Sequence, residues 1–204
     1  MLLGVVATVR IVAAPALIET GFDAVEVGKV PEGMLVLDGA FAVREDGGNR
    51  FLELPGSPLD SYGVLFGPAL KENIAVTARI HGTGKGRRFP TFAVGLGGAT
   101  GWRLQASPGK KELELFKGEV DKASVPFDWV SGKWTHLRLQ IRKTGDHAWK
   151  IEGRAWVEGT DEPGAWTVTF DDSEEPKAGR PGLFASPFAG TPVRFDDLAV
   201  VAVP

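Results

Sequence analysis

The chain has 204 residues, of which 27 are glycine and 14 are proline. Helix-breaking residues at this frequency argue against a helical bundle, and an apolar content of 43% is too high for a disordered chain. Cysteine is absent, which excludes disulfide frameworks, Cys-zinc sites and thiol nucleophiles. A net charge of −3 gives no indication of a nucleic-acid partner.

The most apolar stretch of the chain is its first 17 residues. The stretch is too short to span a bilayer and contains Arg10, so no membrane span is expected. It includes Ala14-Pro15-Ala16, a small-residue pattern typical of a signal-peptidase site, although no Lys or Arg lies near Met1. Two interpretations follow: a targeting segment over 1–17, or a first strand rich in β-branched residues. The folded domain is predicted over 18–204.

Short runs that alternate between apolar and polar residues fill the rest of the chain. Asp38-Gly39 predicts a hairpin between strands over 34–38 and 40–45, and Asp46-Gly47-Gly48 predicts the turn before a strand at 49–54. Further alternating runs lie at 74–81, 112–116, 136–142 and 166–170. Period two marks strands that are buried on one face. About a dozen such strands predict one all-β domain, either an antiparallel sandwich or a barrel.

Six motifs occur in order after residue 20 and together resemble a known superfamily. They are Val27-Gly28-Lys29-Val30-Pro31-Glu32-Gly33, Gly101-Trp102-Arg103-Leu104-Gln105, Gly132-Lys133-Trp134, Ala155-Trp156 with Glu162-Pro163, Gly179-Arg180-Pro181-Gly182 and Phe195-Asp196-Asp197-Leu198. This series is similar to the concanavalin A-like lectin/glucanase superfamily, which includes laminin G-like and glycan-binding domains. The resemblance implies a jelly-roll β-sandwich of two antiparallel sheets and a carbohydrate or glycoconjugate as partner. In the closing motif, Gly179 and Gly182 are expected to form turns with positive φ.

The catalytic patterns of related enzymes are incomplete in this sequence. Glucanases of the superfamily use an E-x-D-x-x-E strand, whereas Glu119-Val120-Asp121 is followed by Ser124 where the second glutamate is required. The chain is also distantly similar to 3-keto-disaccharide hydrolases, which usually carry an acidic residue where this chain has Arg103. The three histidines belong to no nucleophile-elbow or zinc motif. No catalytic residue is predicted, and the interpretation leans away from an enzyme.

A glycan site would combine aromatic platforms with planar polar side chains, because sugars offer apolar C–H faces and hydroxyl rims. Trp129 is the strongest platform candidate because it lies in a loop-like segment over 126–129. The polar candidates lie on polar strand faces and are predicted to line one concave sheet. The complete set of predicted ligand-binding residues is Trp129, Trp102, Arg103, Gln105, Arg79 and His81. The competing interpretation is that the tryptophans belong to the core and the polar side chains are solvated.

The resemblance also implies a possible structural calcium ion. Many domains of the superfamily hold Ca²⁺ near the edge strands that bring the termini together, with carboxylate and carbonyl oxygens as ligands. Asp23 together with Asp196 or Asp197 would supply these oxygens here. The alternative is that the three aspartates are turn formers. No other cofactor is expected.

These observations predict a secreted or periplasmic, non-catalytic module that binds carbohydrate or another cell-surface ligand. Two alternatives stay open, namely a glycoside hydrolase of the same fold and a structural or assembly subunit. Two carboxylates in a cleft would favour the hydrolase, and an exposed apolar patch would favour the assembly subunit. The sequence does not indicate an oligomeric state.

Overall fold

The computed structural model describes residues 16–56 and 60–204, and within these ranges the chain forms strands and no helix. None of the described residues therefore forms a helix able to cross a membrane. The strands are β1 (Ala16–Thr20), β2 (Leu35–Asp38), β3 (Ala42–Asp46), β4 (Asn49–Leu54), β5 (Tyr62–Leu65), β6 (Ile74–His81), β7 (Thr91–Leu96), β8 (Trp102–Ser107), β9 (Glu112–Lys117), β10 (Val120–Pro126), β11 (Trp134–Gly145), β12 (Ala148–Val157), β13 (Val168–Asp172), β14 (Gly182–Ser186) and β15 (Val193–Ala202). Of the predicted targeting segment over 1–17, residues 1–15 lie outside the described residues, and residues 16–17 begin β1.

The strands form two antiparallel sheets. One sheet has the order β13-β12-β11-β6-β15-β4-β3, with β1 also pairing with β15, and the other has the order β10-β9-β8-β7-β14-β5-β2. We call them the eight-stranded and the seven-stranded sheet. Strands distant in sequence, such as β6 and β15 or β7 and β14, are neighbours in space. The predicted all-β jelly-roll sandwich is confirmed.

The core lies between the two sheets and is built by the period-two alternation. Leu137, Leu139 and Ile141 of β11 all face inward and are at most 1% exposed. Phe195 and Leu198 of β15 are fully buried. Each such side chain stabilises the fold by about 1.5–3 kcal/mol relative to exposure. The burial of one face leaves the opposite face of each sheet available for polar chemistry.

The segment around Asp38-Gly39 does not form the predicted hairpin. β2 pairs with β5 in the seven-stranded sheet, whereas β3 pairs with β4 in the eight-stranded sheet, so the chain passes from one sheet to the other at this dipeptide. Gly39 has a φ of 105°, and the Phe41 side chain two residues later enters the sandwich, where it is only 3% exposed. Burial of Phe41 between the sheets thus outweighs the local turn preference. The second predicted turn, Asp46-Gly47-Gly48, does join paired strands.

Gly179 lies where two backbone segments meet. A β-carbon on Gly179 would be 2.2 Å from the carbonyl carbon of Gly97 and 2.5 Å from the nitrogen of Gly98. The amide of Gly98 donates to the carbonyl of Arg180 at 3.0 Å and joins these two segments, while Gly179 and Leu70 exchange two backbone hydrogen bonds of 2.9 Å on the other side. Gly179 is therefore required for close approach. The expectation of positive φ at Gly179 and Gly182 is wrong, since neither residue has one.

We predict that Gly179→Ala lowers the free energy of unfolding by about 2–3 kcal/mol, because backbone atoms cannot yield to the added methyl group as a side chain would. Gly164→Ala is the matched control, since a β-carbon there meets nothing within 4 Å. Urea unfolding of both variants tests the prediction. Equal stability of the two variants would contradict it.

Candidate functional site

A single aromatic ring forms the floor of a cleft on the outer face of the seven-stranded sheet. Phe184 of β14 lies opposite Gly63 of β5, and Gly95 and Gly182 are close neighbours on the same face. A β-carbon on any of these three glycines would come within 2.8 Å of the Phe184 ring. The ring therefore lies directly against the sheet backbone, where only glycine leaves room for it. The ring is 9% exposed and lies outside the main core, with one small apolar area facing the cleft.

Polar side chains surround this ring and enclose a cleft of about 200 Å³. Arg103 and Gln105 of β8 line one side, and Asp38 and Tyr62 line the other. The hydroxyl groups of Ser61 and Ser186 are hydrogen-bonded to each other at 2.7 Å. We call this feature the sheet cleft; its members are Phe184, Arg103, Gln105, Asp38, Tyr62, Ser61, Ser186, Leu37, Gly63, Thr91, Glu119 and Ala185.

Arg103 is held in position by contacts on several sides. One terminal nitrogen donates to the carbonyl of Gly118 at 2.7 Å and to Glu119 at 3.0 Å. The guanidinium carbon lies 5.3 Å from the centroid of the Phe184 ring and 5.9 Å from that of Phe116. These contacts reduce the side-chain entropy that Arg103 would lose on binding a ligand. The guanidinium is thus a prearranged donor beside the aromatic floor.

Gln105 belongs to a network that ends in a buried carboxylate. Its amide nitrogen donates to the Ser107 hydroxyl at 3.0 Å, and that hydroxyl in turn hydrogen-bonds to Glu114. Glu114 is completely buried, and the ammonium group of Lys110 contacts it at 2.6 Å. The buried negative charge is therefore compensated by hydrogen bonds and by one cation. This network fixes the orientation of the Gln105 amide in the sheet cleft.

The two predicted tryptophan platforms lie elsewhere. Trp102 faces the core, is 2% exposed, and packs against Phe170 with ring centroids 5.4 Å apart. Trp129 is half-buried and packs against Phe92 at 6.2 Å. Neither residue lines the sheet cleft. Trp102 follows the strand alternation into the core, and Trp129 covers the end of the sandwich instead of standing free in its loop.

We predict that Trp129→Ala lowers the free energy of unfolding by about 2–3 kcal/mol, because the half-buried indole packs against the core. Val130→Ala is the control, since Val130 is the next residue and is 45% exposed. Urea unfolding measures both changes. A Trp129→Ala protein with unchanged stability would instead favour the role as a platform predicted from the sequence.

The structure does not bring Arg79 and His81 together with Arg103 and Gln105. β6, which carries Arg79 and His81, belongs to the eight-stranded sheet, so these side chains point away from the seven-stranded sheet. Arg79 contacts Asp196 and Glu158 at 2.7 Å and lies 4.7 Å from the centroid of Trp134. Only two of the four polar candidates therefore share a cleft.

The aspartates predicted to bind calcium are placed beside a guanidinium group. Asp196 accepts hydrogen bonds from Arg79 and from Asn49 at 2.7 and 3.0 Å, and Asp197 contacts Arg79 at 2.9 Å. Asp23 is exposed, and its carbonyl accepts a hydrogen bond from Arg50. Over the described ranges no three acidic or histidine side chains are grouped for a metal. Carboxylates already paired with Arg79 do not fit a calcium site, and calcium binding stays a prediction from the resemblance.

His136 lies on the outer face of the eight-stranded sheet and stacks on Trp156. The two rings are 4.9 Å apart and within 6° of parallel. Burial lowers the pKa of His136, so the unfolded chain takes up a proton at a higher pH than the native protein does. The stabilisation that follows is complete above the ordinary histidine pKa of about 6.5 and decreases as the pH falls through and below that value.

We predict that His136→Gln reduces the loss of stability between pH 7.5 and 5.5, because it removes a group that the unfolded chain protonates first. His147→Asn is the control, since His147 is exposed in the turn between β11 and β12. The measurement is the melting temperature of each variant across this pH range. A wild-type slope in the His136→Gln protein would contradict the prediction.

Phe184, Tyr62 and the paired serines were missed by the sequence reasoning. A signal was present in the run Gly182-Leu183-Phe184-Ala185-Ser186, in which a glycine, an aromatic residue and a serine alternate on one face. Glycine inside a strand often marks the close approach of another group. The partner glycines, Gly63 and Gly95, are about 120 and 90 positions earlier, and only the sheet order brings them to Phe184.

No protein-family model matches the sequence, and no curated protein matches it. Among solved structures, the chain is similar to the carbohydrate-binding module CBM66 from Bacillus subtilis, with a TM-score of 0.58 and 15% identity over 83% of this chain and 96% of that one. It is also similar to a structure from work on endo-acting O-glycanases of the human gut microbiota, with a TM-score of 0.60 and 15% identity over 93% and 100% of the chains. A protein of unknown function with a galectin-like fold, also from Bacillus subtilis, gives a TM-score of 0.58 and 11% identity over 93% and 97%. These similarities confirm the predicted fold, an all-β sandwich of two antiparallel sheets, which the carbohydrate-binding module and the galectin-like protein also have.

Proposed function

We propose that this protein is a carbohydrate-binding module and that the sheet cleft is its binding site. The observation that carries the proposal is the Phe184 ring, which lies flat on three glycines between prearranged polar side chains. The similarity to carbohydrate-binding modules supports the same proposal, because it shows a fold that other proteins use for this purpose.

The chemistry of the sheet cleft suits a sugar ring. The apolar face of a sugar packs on an aromatic surface, while its hydroxyl groups need donors and acceptors around the rim. Phe184 supplies the floor, Arg103 donates from one side, and the Gln105 amide offers both a donor and an acceptor. The cleft is shallow and small, so it would hold one or two sugar rings of a longer glycan.

The carboxylates at the cleft favour binding over glycoside hydrolysis. Hydrolysis requires two carboxyl groups roughly 5–10 Å apart on either side of the scissile bond. Asp38 lies on β2, and Glu119 follows β9, beyond Arg103. The β2 and β9 backbones are five strand spacings apart in the sheet, or roughly 24 Å. The Glu119 side chain is 91% exposed and paired with Arg103, which suits a positioning contact better than an acid catalyst.

An extracellular or periplasmic location is part of this proposal. A module for carbohydrate or glycoconjugates would meet its ligand outside the cytoplasm, and the Ala14-Pro15-Ala16 pattern is consistent with export.

The test is a binding screen of the full 204-residue chain against an array of neutral and charged glycans. We expect binding to at least one glycan class, with Arg103→Ala weakening the best ligand about tenfold, the equivalent of one hydrogen bond to a charged group. Arg44→Ala is the matched control, because Arg44 is exposed on β3 of the other sheet.

Thermal unfolding of all three proteins accompanies the screen, so that loss of binding is separated from loss of structure. A folded wild-type protein that binds no glycan would overturn the proposal. Equal weakening by Arg103→Ala and Arg44→Ala would place the binding site outside the sheet cleft.

A further inference from the structure

A second cleft, of about 340 Å³, continues directly from the sheet cleft. The two clefts share Thr91 and Gln105, so they form one groove along the end of β7 and β8. The second part is lined by Arg87 and Arg88 from the β6–β7 loop, Lys110 from the β8–β9 turn, and Phe188 from the β14–β15 loop. We call these four residues the basic extension.

The loop that carries the two arginines has a defined backbone conformation. Lys85 and Arg88 exchange backbone hydrogen bonds of 2.9 and 3.2 Å, and Gly86, with a φ of 64°, makes the turn between them. The two hydrogen bonds between Lys85 and Arg88 therefore hold the backbone of Arg87 and Arg88 in place, and both arginine side chains are exposed. Their positions depend on main-chain hydrogen bonds, which substitution of the side chains leaves in place.

The charge of the basic extension is not balanced locally. Lys110 is paired with the buried Glu114, but Arg87 and Arg88 form no ion pair with any described residue. No carboxylate lines this part of the groove, although the chain carries more acidic than basic residues overall. Two uncompensated guanidinium groups at the end of a cleft create a local positive potential that attracts anions.

An exposed aromatic side chain accompanies the arginines. Phe188 is 37% exposed and lines the same part of the groove. A ligand that fits this pair of features has an apolar face and a negatively charged planar or tetrahedral group. Guanidinium groups bind carboxylate and sulfate with paired hydrogen bonds, and sugar rings supply the apolar face.

We propose that the groove binds an anionic glycan, with a sugar ring in the sheet cleft and the carboxylate or sulfate groups of the following residues at Arg87 and Arg88. This inference rests on the proposed function and adds the ligand class. The sheet cleft recognises the ring, and the basic extension selects for charge.

The experiment compares glycans that differ only in charge. The carboxylate arm uses oligogalacturonate and its uncharged methyl ester, and the sulfate arm uses dextran sulfate and dextran. Binding to the full chain is measured by calorimetry at about 50 and 200 mM salt. We expect one acidic member to bind at least about tenfold more tightly than its neutral counterpart, with a preference that decreases as salt increases. The arm that shows the preference identifies the anionic group.

Two double variants with the same change in net charge locate the effect. Arg87→Ala/Arg88→Ala should abolish the preference for the acidic glycan, whereas Lys29→Ala/Arg44→Ala, at exposed positions outside the groove, should retain it. Unchanged melting temperatures confirm that both variants are folded.

The remaining outcomes separate this inference from the proposed function. Equal affinity for acidic and neutral glycans overturns the inference and leaves the proposed function intact, whereas no binding to any glycan, here or in the array, overturns both. A preference that persists without Arg87 and Arg88 overturns the inference. Equally tight binding of a single-stranded polynucleotide, with the same dependence on the two arginines, also overturns it in favour of general polyanion binding.

Discussion

The close contact between the Phe184 ring and the backbone of the seven-stranded sheet determines what the outer face of that sheet can do. An aromatic side chain on a strand normally stands away from the sheet, because its neighbours carry β-carbons. Here Gly63, Gly95 and Gly182 remove those carbons on three adjacent strands, and the ring lies down. A ring that stood upright would fill the space that is now the cleft. The glycines thus create the site without contributing any functional group to it.

The arginine side chains on the outer faces of the sandwich differ in whether the protein's own carboxylates already contact them. On the eight-stranded sheet, Arg79 and Arg194 cover the rings of Trp134 and Phe51 at 4.7 and 4.5 Å, and both also contact carboxylates. The N–H groups of Arg79 and Arg194 therefore already donate to groups within the protein. On the seven-stranded sheet Arg103 is also placed over Phe184 and paired with Glu119, whereas Arg87 and Arg88 at the end of the groove have no acidic partner among the described residues. The two guanidinium groups of the basic extension are therefore the ones left free for an anionic ligand.

The fold was predictable from the sequence because period two, turn residues and the order of the motifs all indicated the same architecture. The hairpin predicted at Asp38-Gly39 is wrong for a specific reason. Burial of Phe41 between the sheets, worth about 1.5–3 kcal/mol, competes directly with the local turn preference of Asp38-Gly39. A dipeptide pattern contains no information on which sheet each flanking strand joins.

The site was only partly predictable, and the reason is geometric. Arg103 and Gln105 were identified because they alternate with core residues on one strand, which is local information. Arg79 and His81 show the same alternation, but their strand belongs to the other sheet, and nothing within β6 indicates which sheet that is. Phe184 was missed for a related reason, since a phenylalanine in a strand indicates core unless its neighbours on adjacent strands are known. Which sheet a strand joins, and which residues lie beside it on adjacent strands, depend on contacts between distant parts of the chain. The alternation within one strand does not show them.

One edge of β15 is shared by two short strands placed end to end. β4 pairs with Val193–Phe195 and β1 pairs with residues 198–201, while the irregular step at Asp196 and Asp197 separates them. Arg79 contacts both aspartates at this junction, so the backbone can change register there without leaving the buried Asp196 unpaired. Because no ladder runs continuously along that edge, opening of β1 breaks no hydrogen bond between β4 and β15. We therefore expect β1 to exchange its amide protons independently of β4, as a local unit on the sheet opposite the cleft.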